Sequence, residues 1–144
     1  GLSAEKIASE LTTAREKVHL MAVVDTLEYL QKGGRVSKTV AIAGGLLNVK
    51  PIIGIVDGEI KMIGKARGNK QANALMNKEI AKMGVDFDKP ILLGYTGTSD
   101  ELLCKYIQES AETWEGRQIP STIVSAVIGT HAGPGAVAVA FFKK

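Results

Sequence analysis

The sequence predicts a mixed α/β domain, closer to α+β, with a mixed or largely antiparallel sheet covered by helices. Helical and strand patterns interleave along the chain, which argues for layers of both kinds. Asp57-Gly58 sits between two apolar runs, a strong hairpin signal that rules out a purely parallel sheet. The 144 residues, 45% of them apolar, suffice for one core, and no linker, repeat or low-complexity segment divides them. Residues 1–144 therefore read as a single domain.

Ser3 caps a helix running to about Ala14, with Ile7, Ala8, Leu11 and Ala14 on one face. Residues 18–24, with three valines, read as a buried strand in which His19 is structural. Asp25, with Glu28 three residues later, has the form of a capping arrangement. It opens a short helix through Leu27 and Leu30 that Gly33-Gly34 stops. Ser37 caps a helix over residues 38–47, with Asn48 and Pro51 as exit signals. Gly44-Gly45 within it cost roughly 1 kcal/mol each against alanine. Either backbone or ligand approaches closely there, or the helix breaks.

Residues 51–56 and 59–63 are the hairpin strands. Residues 69–83 place Ala72, Leu75, Met76, Ile80 and Met83 at helical spacing, and this methionine stripe reads as core rather than as a ligand groove. Residues 91–95 form a strand. Thr98 and Glu101 match a capping box before a helix carrying Leu103, Ile107, Ala111 and Trp114, ended by Gly116. Residues 122–128 and 136–142 are the last strands, joined by the glycine-rich segment 129–135.

Charge and composition exclude several function classes. No apolar run approaches the roughly 18 residues of a membrane span. Eighteen basic against fifteen acidic residues leave +3, and aromatics are 5%. Lys61, Lys65, Arg67 and Lys70 form the one short basic cluster, either a solvated edge or a docking surface for an acidic partner; nucleic acid is not expected. The single cysteine, Cys104, forms no internal disulfide and suits a reducing compartment. Beside Leu103 and Ile107 it is expected to be a buried or half-buried thiol. The opening residues show no signal-peptide pattern, so a cytoplasmic location is expected.

Residues 32–39 hint at a phosphate loop, but Ser37 and Lys32 stand where a Walker A loop needs glycines. Residues 133–138 fit G-x-G-x-x-A formally, yet lead into an alternating strand instead of a helix. Neither histidine has a metal-ligand companion at useful spacing, and no metal or cofactor is expected. His131 stands apart because a glycine-rich loop brings backbone N–H groups close to a ligand, and imidazole can donate to a carboxylate. The alternative is a tight turn that happens to hold a histidine.

The run from Asp25 through Leu30-Gln-Lys-Gly-Gly-Arg-Val-Ser-Lys38, then residues 46–52, Asp57-Gly-Glu59 and the closing Ile128-Gly-Thr-His-Ala-Gly-Pro-Gly-Ala136 resemble the DegV family. The motifs fall in family order along almost the whole chain, and cover only the C-terminal half of a usual family member. The resemblance implies that the N-terminal domain is absent from this chain. It also implies binding of one long-chain fatty acid in a tunnel between the two domains. In bacteria with a fatty acid kinase, the acyl carboxylate is presented to that kinase for phospholipid synthesis, the binding subunit being no enzyme.

Carried over by motif, His131, with Thr130 and Gly129 beside it, would hold the carboxylate, its Ser and Thr partners belonging to the missing domain. Arg35 and Arg67 would face the kinase. Ala41, Gly44, Gly45 and Leu47 offer small residues beside the acyl chain; close helix–sheet packing explains the glycines equally well. Two other readings stay open. One is an enzyme acting on a small carboxylate with His131 as acid or base; the other is a protein-interaction domain using its basic edge. Apolar surface left uncovered by the missing domain would favour self-association of the chain.

Overall fold

The computed structural model describes residues 1–37 and 48–144. The helix expected over residues 38–47, with its Gly44-Gly45 pair, lies outside them. Helix α1 (Ala4–Ala14) opens at Ser3, whose Oγ accepts the Lys6 amide hydrogen at 3.3 Å. Then come β1 (Val18–Val23), α2 (Glu28–Lys32), β2 (Val49–Val56), β3 (Glu59–Arg67), α3 (Gly68–Met83) and β4 (Leu92–Tyr95). The chain closes with α4 (Glu101–Glu109), β5 (Ser121–Ile123), α5 (Ala126–Ala132) and β6 (Val137–Phe142).

The strands form one sheet in the order β3-β2-β1-β6-β4-β5. Every neighbouring pair is antiparallel except β4 with β5, so the sheet is mixed and largely antiparallel as the sequence implies. Asp57 and Gly58, at φ 53° and 78°, turn β2 into β3; two left-handed residues match the twist of a hairpin. Edge strand β3 exposes Lys61, Lys65 and Arg67, and charge on an edge discourages pairing with another chain.

The main core lies on one face of the sheet. Met21, Val23, Ile52, Val137, Val139 and Phe141 pack beneath Ala72, Met76 and Ile80 of α3 and Leu103 and Tyr106 of α4. Each large side chain buried in this way stabilises the fold by about 1.5–3 kcal/mol. The methionine stripe is core, as its spacing suggests. Polar bonds tie the two helices together: Tyr106 Oη donates to Asn77 Oδ1 at 2.8 Å, and Asn77 Nδ2 to the buried Ser110 Oγ at 2.9 Å. Asn73 Nδ2 donates to Glu109 Oε2 at 2.8 Å. Burial pushes the Tyr106 phenol far above its ordinary range.

Several local expectations need correction. Residues 122–128 are not one strand: only Ser121–Ile123 pairs, and Ala126–Ala132 is helical. Val124 still donates to the Tyr95 carbonyl, but Thr96 turns to pair with Ala136. Residues 125–128 then have no strand to join and close their own hydrogen bonds. The short helix at residue 28 has Leu27 at its N-cap with no side-chain cap; Thr26 Oγ1 accepts from Glu28 N at 3.2 Å just before it, while Asp25 pairs with Lys50. Ser99, not Thr98, accepts the Glu101 amide hydrogen. On α4 the buried residues are Leu103 and Tyr106, followed by Ser110 at the C-cap, which leaves Ile107 and Cys104 exposed. Helix α4 ends at Glu109, and Trp114 is buried from the turns that follow. Helix α1 forms as predicted but none of its residues is buried.

Ile80→Ala is expected to cost about 2–5 kcal/mol, whereas Ile7→Ala on α1 stays within about 0.5 kcal/mol; urea unfolding compares them. Burial, and then the Lys143 ammonium, hold the His19 imidazole below its ordinary value. The unfolded chain therefore takes up that proton first, and the stability tied to His19 is lost as pH falls through the folded value. His19→Phe should flatten the fall in stability as pH drops below the ordinary imidazole value of 6.5, read from urea midpoints.

Candidate functional site

Strand β6 alternates large and small side chains. Val137, Val139 and Phe141 enter the core, so Ala136, Ala138 and Ala140 face the other way. The register sets small neighbours beside them. Ile53, Ala22, Ala138, Gly94 and Thr122 form one row across β2, β1, β6, β4 and β5. Two residues along β6, Leu20 and Leu92 flank Ala140. The result is a trough of about 490 Å³ floored by alanine and glycine, with Ile53 and Ile60 along one side and α5 over one end. That size suits a small-molecule ligand.

Polar side chains gather at the α5 end. Helix α5 meets α2 through a reciprocal fit: His131 of α5 lies over Gly33, and Tyr29 of α2 lies over Gly133. A methyl group on Gly33 would stand 2.0 Å from His131 Nδ1, and one on Gly133 would stand 2.3 Å from Tyr29 Cδ2. Gly133 also has φ 76°, which favours glycine. His131 Nδ1 is buried with no hydrogen-bond partner among the described residues, and such a group in a folded protein calls for a polar ligand or solvent. Arg35 lines the same cavity, its Nη1 donating to the Gly33 carbonyl at 2.8 Å. Buried Thr96 completes this end, bonded to Gly133 and Ala136.

The family model described as an uncharacterised protein of the DegV family matches residues 1–144. The chain belongs to the DegV family. A DegV domain-containing protein of Caldanaerobacter subterraneus is 37% identical over 145 residues, covering 100% of this chain and 51% of that protein. The fatty acid binding DegV family protein of Streptococcus agalactiae is 28% identical with a TM-score of 0.84, covering 100% of this chain and 51% of its own. A DegV family protein of Thermus thermophilus, described by its fatty acid binding, is 28% identical with a TM-score of 0.80, covering 100% and 52%. The chain thus spans about half the length of the relatives it matches.

In this DegV chain the structure brings His131 and Arg35 to one cavity. Gly129 and Thr130 belong to α5 but do not line the trough, and Thr130 Oγ1 donates to the Ala126 carbonyl at 2.8 Å. Arg67 ends edge strand β3, away from the trough. Ala41, Gly44, Gly45 and Leu47 lie outside the described residues. Sequence reasoning missed the alanine face, although the period-two alternation of β6 signalled it. It also missed Gly33, against which His131 packs, and Thr96, which bonds to Gly133; no local pattern marks either. Among the described residues no three His, Cys, Asp or Glu side chains could hold a metal ion, and no helix is long and apolar enough to cross a membrane.

Gly33→Ala should force the His131 ring out of place and destabilise the fold by about 1–3 kcal/mol. Gly129 is the control: it is helical with open space around it, so Gly129→Ala should stabilise by up to about 1 kcal/mol. Urea midpoints and the His131 ring chemical shifts distinguish the two.

Proposed function

We propose that this chain supplies one half of a binding site for a long-chain fatty acid, the tail lying along the alanine floor and the acid group facing His131. The observation that carries the reading is a carbon-lined trough with His131 and Arg35 among its lining residues. Each buried methylene contributes roughly 0.8 kcal/mol, which suits a long tail on an apolar floor. A carboxylate taken from water needs charge-assisted or hydrogen-bonding partners, which His131 and Arg35 can offer. Two relatives at 28% identity are described as binding fatty acids, which favours the same ligand class here.

The site is a binding site in this reading, not a catalytic one. The hydroxyls of Thr96, Thr122 and Thr130 all donate to backbone carbonyls, so none is poised beside His131 as a nucleophile. The exposed apolar rim of the trough, Val127 and Ile128 at 75% and 59%, suits cover by the remaining half of a DegV protein. Without that cover the chain is expected to bind fatty acid weakly and to self-associate. Presentation of the bound acid to a fatty acid kinase, with Arg35 and Arg67 on the contacting surface, completes the proposal.

The test uses the chain extended to the length of its relatives. Mass spectrometry of extracted lipid should recover acyl chains, and Ala138→Phe, which fills the floor, should lower fatty-acid affinity at least about tenfold. His131→Ala should weaken binding with the fold intact. Repeated absence of acyl chains, or unchanged affinity in Ala138→Phe, would sink the reading. Separately, Arg67→Ala, away from the trough, should weaken kinase binding and leave lipid occupancy unchanged, whereas Arg35→Ala should weaken both.

A further inference from the structure

We infer that Thr96 is the positioning residue for His131, acting through the turn between α5 and β6. Thr96 is 4% exposed, directly after β4. Its Oγ1 donates to the Gly133 carbonyl at 2.5 Å and accepts from the Ala136 amide at 2.9 Å. Its own amide donates to the Ala136 carbonyl at 3.1 Å, and its carbonyl accepts from Gly135 N at 3.1 Å. One residue thus holds both ends of the turn from Gly133 to Ala136.

Gly133 is also where α5 stops, its N–H donating to the Gly129 carbonyl at 2.8 Å. Fixing Gly133 therefore fixes the last turn of α5, on which His131 stands. Tyr29 presses on Gly133 from the other side, and Gly33 leaves room only for the ring as it lies. The single hydroxyl proton of Thr96 is committed to Gly133, so Thr96 has no donor for a ligand. It orients the imidazole without sharing the imidazole's task. Gly133 and Ala136 are buried, so loss of the hydroxyl strands a carbonyl and an amide, and the turn must shift to satisfy them.

Thr96→Val removes both side-chain bonds at nearly constant shape, and Thr96→Ser keeps them. In nuclear magnetic resonance spectra of this chain, Thr96→Val should lose the contact between the His131 ring and the Gly33 α-protons, with Thr96→Ser retaining it. Ile80→Ala, a destabilised control, should retain it as well. A Thr96→Val spectrum with the contact intact overturns the inference, and so does equal loss in Thr96→Ser. Should Thr96→Val not fold, hydrogen exchange in the unaltered chain decides. An Ala136 amide as protected as those of β6 supports the clamp, and exchange at a free-loop rate overturns it.

The consequence for affinity rests on the fatty-acid reading. In the extended protein, Thr96→Val should bind oleate about tenfold more weakly, as expected for a lost hydrogen bond to a charged group, with Thr96→Ser close to the unaltered protein. If the ring contact is lost as expected while the unaltered protein binds no oleate, the positioning role stands and the fatty-acid reading fails.

Discussion

Strand β6 lies in the middle of the sheet, and as far as Phe141 its two faces carry side chains of opposite size. On one face, valines and a phenylalanine reach the helices above and close a dry core. On the other, Ala136 and Ala138 join Ala22, Leu27, Leu30 and Ile53 in a smaller cluster, and the rest of the alanine floor stays open as the trough. A one-carbon side chain leaves space that neighbouring strands would have to fill, and here they offer Ala22 and Gly94. Core and trough are therefore two results of one alternation. A one-residue slip in register would carry Val137, Val139 and Phe141 out of the main core, so the pairing of β6 with β1 and β4 is strongly specified.

The polar end of the trough depends on a second constraint, the close approach of α2 and α5. Each helix ends at a glycine, and each glycine receives a ring from the other helix. Glycine is needed at both places because a methyl group would occupy the space of the ring. Short helices of five and seven residues have little stability of their own. Their geometry is set from outside, by this mutual fit and by the turn after α5. Through that fit the chain presents an imidazole and a guanidinium at one end of an otherwise carbon-lined surface. On the proposed reading, the floor supplies affinity through buried methylenes and the polar end fixes which way the ligand points.

Much of the fold was legible because its signals are local. Asp57-Gly58 needs only the steric tolerance of two residues to make a hairpin, and α3 needs only apolar side chains at helical spacing. The segment 122–128 was misread because a short run of β-branched residues serves strand or helix equally well until its partners are known. The buried face of α4 differs from the expected one for a similar reason: Tyr106 and Ile107 are neighbours of similar size, and only tertiary packing, with the bond to Asn77, shows that Tyr106 turns inward.

His131 itself could be singled out from the sequence, because a histidine among glycines is unusual chemistry visible in one dimension. By itself the sequence determined the class of fold, the hairpin, the core helix and the likeness to the DegV family, since each rests on patterns within a few residues or on motif order. The tertiary structure alone decided which face of the sheet stays open and which side chains share it. It also decided that Tyr29 and Gly33 of the α2 end meet Gly133 and His131 of the α5 end, far along the chain. The physical reason is that strand pairing and close packing join residues dozens of positions apart, and no local propensity encodes which partner each will meet.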